Sequence, residues 1–297
     1  MYLQADKKAI KKELLDIIED SQKKITPGEL EKALSQKYPV TRKEIKSLIK
    51  GLVTENFLTY TNHYGRTFIE KSFNKAVRIS KHVILKPPGF NYKPKADDVV
   101  IKIWQGISFG NGQHPTTRLA IRGIEYALNE TNLLKGKDKT NVLDIGTGSG
   151  VLGITALLLG IKNAVGVDID PCSIKEARDN AKINELEDKF VIKNMSLEDL
   201  NAKFTLITAN LRYPTLMNIY HRLVKMTEPG GSVVLSGIKS DEAISVVNLY
   251  TEKYFECKWK EFEKGWAGLV LLKIAQLITP DIKECNDLDG NFQLIPV

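Results

Sequence analysis

Between Lys7 and Asp20 the apolar residues fall at Ile10, Leu14, Leu15, Ile17 and Ile18, the three-and-four spacing of a helix with one buried stripe. Two helix starts follow at short intervals. Thr26-Pro27-Gly28-Glu29 joins a capping residue, a proline at the first helical position and a glutamate three residues on, and Thr41-Arg42-Lys43-Glu44 repeats the box without the proline. The helix after Thr41 is expected to bury Ile45, Leu48, Ile49, Leu52 and Val53, and FLTYTNHYGRTFIE (57–70) alternates like two strands around a turn at Asn62 to Gly65. Helices followed by a strand pair predict a small winged-helix domain over residues 1–88.

A proline-rich stretch, KPPGFNYKPKADD (86–98), supplies a linker at residues 89–98, and beyond it the period changes. NVLDIG (141–146), AVGVDID (164–170), FVIKN (190–194), FTLITANL (204–211) and SVVLSGI (232–238) are short, nearly continuous apolar runs. Helical segments separate them, two of which open at Pro171 and Pro214. Apolar strands alternating with helices predict an α/β fold with a parallel sheet covered on both faces. Near the end FECKWKEF and WAGLVLLKI, joined by Glu263 to Gly265, predict a hairpin that adds an antiparallel strand at one edge, so residues 99–297 form one Rossmann-like domain.

Charge divides the chain in the same place. Residues 1–88 hold 18 Lys and Arg against 10 Asp and Glu, whereas residues 89–297 hold 25 against 26, so the basic excess belongs to the first module. Its third helix carries Arg42, Lys43, Lys46 and Lys50 on the solvent face, which suits a phosphate backbone. Winged helices also dock proteins, and a lysine-rich surface can simply be solvated, so a protein partner and a nucleic-acid partner both stay open. The N-terminus has no apolar core of signal-peptide type and VLGITALLLGI (151–161) is too short to span a bilayer, which leads to the expectation of a cytoplasmic protein without a membrane partner. Cys172, Cys257 and Cys285 form no CxxC pair and His63, His82, His114 and His221 no HExxH spacing, so neither a disulfide framework nor a metal site is expected.

The first strand of the sheet runs into Asp144-Ile-Gly146-Thr-Gly148-Ser-Gly150. A dinucleotide fingerprint, G-x-G-x-x-G, needs its third glycine at Val151, and a phosphate loop needs a Gly-Lys-Ser/Thr that is not present after this strand. What remains, D-x-G-x-G-x-G after the first strand of a parallel sheet, resembles the S-adenosylmethionine loop of class I methyltransferases, and the resemblance implies glycines where the backbone lies against that cofactor. Asp168 ends the second strand 22 residues after Gly146, placed to reach ribose hydroxyls, while Asp170 before Pro171 reads as a helix cap. The adenine is expected near the end of the third strand, from Asn194 to Ser196.

FGNGQHPTTR (109–118), VLDIGTGSGVLGITALLLG, GVDIDPCSIKEARDNAKIN, TANL and PGGSVVLSGI, in this order and spacing, resemble the family of methyltransferases that modify the stalk protein, protein L eleven, of the bacterial large ribosomal subunit. The resemblance covers roughly residues 99 to 275. It implies transfer of methyl groups from S-adenosylmethionine to lysine or α-amines of a protein, possession of a ribosomal substrate, and release of S-adenosylhomocysteine. It further implies that Thr117 touches the cofactor along with Gly146, Asp168 and Asn210, under a lid whose wall residues are Phe109 and His114. Two features depart from the family: its usual N-terminal domain has another layout, and Asn210 is followed by Leu211-Arg212-Tyr213-Pro214. Asn210 and Tyr213, three apart, are similar to the N-P-P-Y motif of amine methylases with both prolines missing; Tyr213 is read equally well as packing beside the strand end. The alternatives are a nucleic-acid methyltransferase gripping RNA or DNA through the basic module, and a cofactor-binding regulator without catalysis.

Overall fold

A computed structural model of the protein describes residues 2–21, 24–63, 65–104, 108–110, 112–131, 133–136 and 138–274; Cys285 lies outside them. The N-terminal segment forms helices α1 (Tyr2–Asp20), α2 (Pro27–Lys37) and α3 (Arg42–Thr54), then the antiparallel pair β1 (Leu58–His63) and β2 (Arg66–Lys71). Both capping boxes form: the Thr26 and Thr41 hydroxyls accept from the amides of Glu29 and Glu44, whose carboxylates accept from the cap amides in return. Each cap stabilises its helix by about 1 kcal/mol. Leu14, Leu30, Leu34, Ile45, Ile49, Leu52, Leu58 and Ile69 close a core of their own.

A second sheet joins β3 (Val77–Arg78), β4 (Val83–Lys86) and β5 (Val99–Lys102), with β4 antiparallel to β3 and parallel to β5. The segment expected as a linker is therefore the crossover between two paired strands. Lys86 Nζ donates to the Phe90 carbonyl at 2.6 Å, and the Tyr92 hydroxyl donates to Asp98 at 2.6 Å. Val77, Val83, Leu85 and Ile101 share a buried cluster with Val142 and Leu206 of the large sheet, so this part of the first 88 residues packs with the second half of the chain. A two-residue strand and two of four residues leave no period to read, which is why the pattern does not reveal this sheet.

The chain continues through α4 (Pro115–Glu130), β6 (Asn141–Ile145), α5 (Val151–Leu158), β7 (Asn163–Asp168), α6 (Pro171–Ile183), β8 (Phe190–Asn194) and β9 (Phe204–Asn210). It ends with α7 (Tyr213–Asn218), α8 (Tyr220–Met226), β10 (Thr227–Lys239), α9 (Ala243–Thr251), β11 (Phe255–Glu263) and β12 (Trp266–Lys273). The sheet order is β11-β12-β10-β9-β6-β7-β8, parallel from β10 to β8, with β12 antiparallel to both neighbours. Alternate residues face opposite layers: Val142 and Val234 pack with Ile121, Ile124 and Ile154, whereas Leu143 and Val233 pack with Leu216, Leu223 and Val246. Pro229-Gly230-Gly231 interrupts β10, where the register with β9 jumps from Thr227↔Phe204 to Ser232↔Leu206. From β6 the chain first runs outward to β8 and then returns to β9 on the other side, so the strand order switches between β6 and β9, the place where open α/β sheets bind ligands.

Candidate functional site

The loop at that switch point is built on Asp144. Its carboxylate is fully buried and accepts from the Thr147 hydroxyl at 2.7 Å, the Gly153 amide at 3.1 Å and the Thr208 hydroxyl at 2.8 Å. Burial raises the Asp144 pKa to about 6, against the pull of those three donors. The side chain thus turns into the protein, tying β6, β9 and the start of α5 together, and its part in the site is to hold the loop in shape.

Gly146, Gly148 and Gly150 all have positive φ, at 65°, 54° and 80°. A Cβ on Gly146 would stand 2.7 Å from the Leu211 side chain, one on Gly148 2.6 Å from the Phe109 carbonyl oxygen, and one on Gly150 3.1 Å from Ala177. The clashes expected against a cofactor are therefore, in the protein itself, clashes with the exit of β9, the lid and α6. Asp168, at the end of β7, accepts from the Gly148 amide at 2.9 Å and from the Asp170 amide at 3.0 Å, which leaves lone pairs on both oxygens for hydroxyl donors. Asp170 caps α6 through the amides of Cys172 and Ser173. Asn194 is in register with Asp168 and exposed at the end of β8, beside a groove of about 310 Å³ formed with α6.

The lid lies across this loop. Phe109 O accepts from the Ser149 amide at 3.0 Å, while the Phe109 ring is 52% exposed. Glu176 and Asn180 of α6 and its C-cap Asn184, spaced four apart, fasten the segment leading to it. Asn184 accepts from the Lys102 amide at 2.9 Å, Asn180 from the Trp104 amide at 3.0 Å and Glu176 from the Ser108 amide at 3.0 Å. Asn180 also donates to the Ser149 carbonyl at 2.8 Å, joining lid and loop. Their spacing was the available signal, but polar residues four apart on a helix usually mean a solvated face.

His114 caps α4. Its Nδ1 accepts from the Thr116 amide at 3.3 Å, so the Thr116 hydroxyl, 2.8 Å away, donates to the same nitrogen and the ring proton sits on Nε2. The ring packs between Phe109, with centroids 5.2 Å apart, and Trp266, at 4.9 Å. Burial, followed by the Arg118 charge, lowers its pKa to about 4, so it is neutral at pH 7. Arg118 holds the lid from the other side: Nη1 donates to the carbonyls of Gly112 at 3.1 Å and Gln113 at 2.6 Å, and Nε to Glu263 at 2.8 Å. Glu263 also pairs with Arg122. Burial raises the Glu263 pKa, but the two guanidiniums outweigh it and the net shift is downward. The next residue in the turn, Lys264, donates to the Ile18 carbonyl of α1 at 3.1 Å.

Asn210 closes β9 and is half-buried, and the side chain of the next residue, Leu211, lies against Gly146. Tyr213 opens α7 and packs, half-buried, against the core on that face. Thr117 is wholly buried in the first turn of α4. Its hydroxyl, like that of Ser149, has no hydrogen-bond partner among the described residues. The orphaned Ser149 hydroxyl, within a cradle of positive-φ glycines, fits a polar ligand. Among the described residues, no cluster of three His, Cys, Asp or Glu side chains is placed to hold a metal, and no helix is long and apolar enough to cross a membrane. On the far side of the lid a cleft of about 1150 Å³ opens between β1–β2 and α4, reaching Phe109, His114, Arg118 and Trp266.

A sheet switching direction at a D-x-G-x-G-x-G loop, with an acidic residue ending the next strand, defines a class I methyltransferase fold. Within that class, the chain matches the model of the ribosomal protein L11 methyltransferase (PrmA) family over residues 66–273 and belongs to that family. It is 35% identical over 199 residues to the ribosomal protein L11 methyltransferase of Citrifermentans bemidjiense, covering 67% of this chain and 64% of that one. Against the protein of the same name from Heliobacterium modesticaldum it is 33% identical over 201 residues, covering 67% and 61%. The crystal structure of the ribosomal protein L11 methylase from Lactobacillus delbrueckii subsp. bulgaricus matches with a TM-score of 0.60 and 30% identity, over 68% of this chain and 100% of that one. The chain thus spans less than two thirds of the length of the curated relatives it matches, and residues 1–65 precede the family match.

Proposed function

We propose that the protein is an S-adenosylmethionine-dependent N-methyltransferase acting on an amine, of lysine or of a chain terminus, in a ribosomal protein. The observation that carries this reading is the meeting of three strand ends under one lid: the loop after β6, Asp168 on β7 and Asn210 on β9. The family, and the activity for which its relatives are named, support a protein acceptor. Gly146, Gly148 and Thr117 would hold the amino-acid end of the cofactor, Asp168 its ribose and Asn194 its adenine edge, with Phe109 above. Bound there, S-adenosylmethionine supplies an electrophilic methyl group and leaves as S-adenosylhomocysteine.

The chain's own task is alignment and exclusion of water, which is catalysis by proximity. A lysine amine, with a pKa of about 10.4 in water, must arrive neutral, and burial under the lid disfavours its ammonium form. The Asn210 carbonyl accepts an amine hydrogen and so aims the lone pair. The cleft beyond the lid is the path by which a protein segment reaches it, with β1 and β2 as one wall.

Asn210→Ala should lower kcat about 100-fold, roughly the 3 kcal/mol of a missing hydrogen bond to the reacting centre, while product affinity changes little. Unchanged turnover would remove Asn210 from the mechanism. Incubation with methyl-labelled cofactor and an extract of cells lacking the gene identifies the acceptor: the label should be lost to protease and survive nuclease. Loss to nuclease alone would reject the protein acceptor.

A further inference from the structure

Residues ahead of the family match carry a charged surface that methyl transfer does not use. On α3, Arg42, Lys43, Lys46 and Lys50 are all exposed, and at 100° per residue they fall within one arc of about 100°. Ile45, Ile49 and Leu52 occupy the buried side of the same helix. Nearby acids are engaged elsewhere: Glu44 caps its own helix and Glu55 pairs with Lys11. Glu31 approaches only Lys46, at 3.9 Å, and Arg42, Lys43 and Lys50 have no ion-pair partner among the described residues. The stripe is about 12 Å long, comparable to the width of a B-form major groove, about 12 Å.

Topology adds a second observation. α3 follows α2 after a four-residue connection and is followed directly by the β1–β2 hairpin, the arrangement in which a second helix is presented outward beside a wing. The rest of the chain, with 25 basic and 26 acidic residues from position 89 on, offers an anionic partner no comparable attraction.

We infer that residues 2–71 form a winged-helix unit that docks the enzyme on the phosphate backbone of a nucleic-acid duplex through Arg42, Lys43, Lys46 and Lys50. The duplex is the place of docking and a protein remains the methyl acceptor. Contacts from these cations to phosphate oxygens fix the position of the duplex without specifying its sequence.

The test titrates the full chain into fluorescein-labelled mixed-sequence duplex RNA and, separately, duplex DNA, following anisotropy over a range of salt concentrations. Affinity for at least one duplex should fall steeply with salt. The quadruple variant Arg42→Gln, Lys43→Gln, Lys46→Gln, Lys50→Gln should bind at least about tenfold more weakly. It should also flatten the slope of log K against log salt by about 3.6 on B-form DNA, since each neutralised phosphate adds about 0.9 to that slope. The tighter arm identifies the nucleic acid. An unchanged melting temperature and product affinity confirm that the variant is folded. Equal binding by variant and wild type, no binding of either duplex by wild type, or a defect confined to the protein acceptor would each overturn the inference. The methyl acceptor is established separately by the label experiment, so either conclusion can fail alone.

Discussion

The loop Gly146–Gly150 and the lid from Ser108 to His114 are both glycine-bearing, both carry positive-φ backbone, and lie in van der Waals contact, yet they are fastened by different means. The loop is held from beneath by Asp144, a fully buried carboxylate that bonds residues three, nine and 64 positions along the chain. The lid is held by side chains of other elements, by Glu176 of α6 and by Arg118, whose partner Glu263 lies 145 residues away. A loop fastened from within the sheet keeps its shape as long as the sheet exists. A lid fastened by a few side-chain hydrogen bonds from other elements can release while the sheet stays folded, which suits the proposed reaction, in which cofactor and acceptor enter in turn.

The change expected to have the largest effect strikes where the two meet. Gly148→Ala adds a Cβ 2.6 Å from the Phe109 carbonyl oxygen at a residue with φ +54°, so the loop or the lid must move. Left-handed backbone costs a non-glycine residue about 1–3 kcal/mol, and with the clash the affinity for S-adenosylhomocysteine should fall about 100-fold by calorimetry. Affinity within about threefold of wild type would mean that the lid yields freely and that the two regions are not coupled.

A second test isolates the loop. Asp144 holds its proton to about pH 6 in the fold, against 3.8 as the ordinary value, so across that interval the native state binds more protons than the unfolded one. The stabilisation this gives is complete below 3.8 and lost as pH rises through about 6. In Asp144→Asn the amide oxygen can take the bonds from Thr147 and Gly153, the amide nitrogen can donate to Thr208, and no ionisation remains. Relative to this variant, wild type should lose about 2 kcal/mol of unfolding free energy between about pH 4 and 6 in urea titrations. Parallel curves would show that the carboxylate is better solvated than its burial indicates.

The same division explains what the sequence discloses. Asp144, the three glycines and Asp168 lie within 25 residues, and strand, loop and helix succeed one another there, so spacing alone suggests a cofactor cradle. The α/β sheet was legible for a similar reason, because buried parallel strands are apolar on both faces, as Phe204–Asn210 shows. Strand order was not, since it depends on which distant runs pair. Nor does the sequence tell that Asp144 faces inward, because a D-x-G-x-G-x-G loop looks the same whichever way its acid points. The clamp on the lid stayed hidden altogether: Arg118 pairs with a residue in a hairpin turn, where a glutamate is unremarkable, and the crossover behind Pro87 and Pro88 has the composition of a linker although it joins paired strands.

The smallest of the expected effects tests the lid alone. Arg118 touches no part of the glycine loop; it bonds the carbonyls of Gly112 and Gln113 and the Glu263 carboxylate, and both ends of that pair are mostly buried. Arg118→Ala therefore leaves Asp144 and its donors in place while two lid carbonyls and one arm of Glu263 lose their partner. Product affinity, which reads the loop, should change less than about threefold, whereas kcat/KM for the protein acceptor should fall about tenfold, or 1.4 kcal/mol, because the closed lid is less populated. Arg118→Lys restores charge but not the fork that serves Glu263 and two carbonyls at once, and should recover only part of the loss. If both variants weaken product binding as much as turnover, lid and loop are one rigid unit and the contrast between them does not hold.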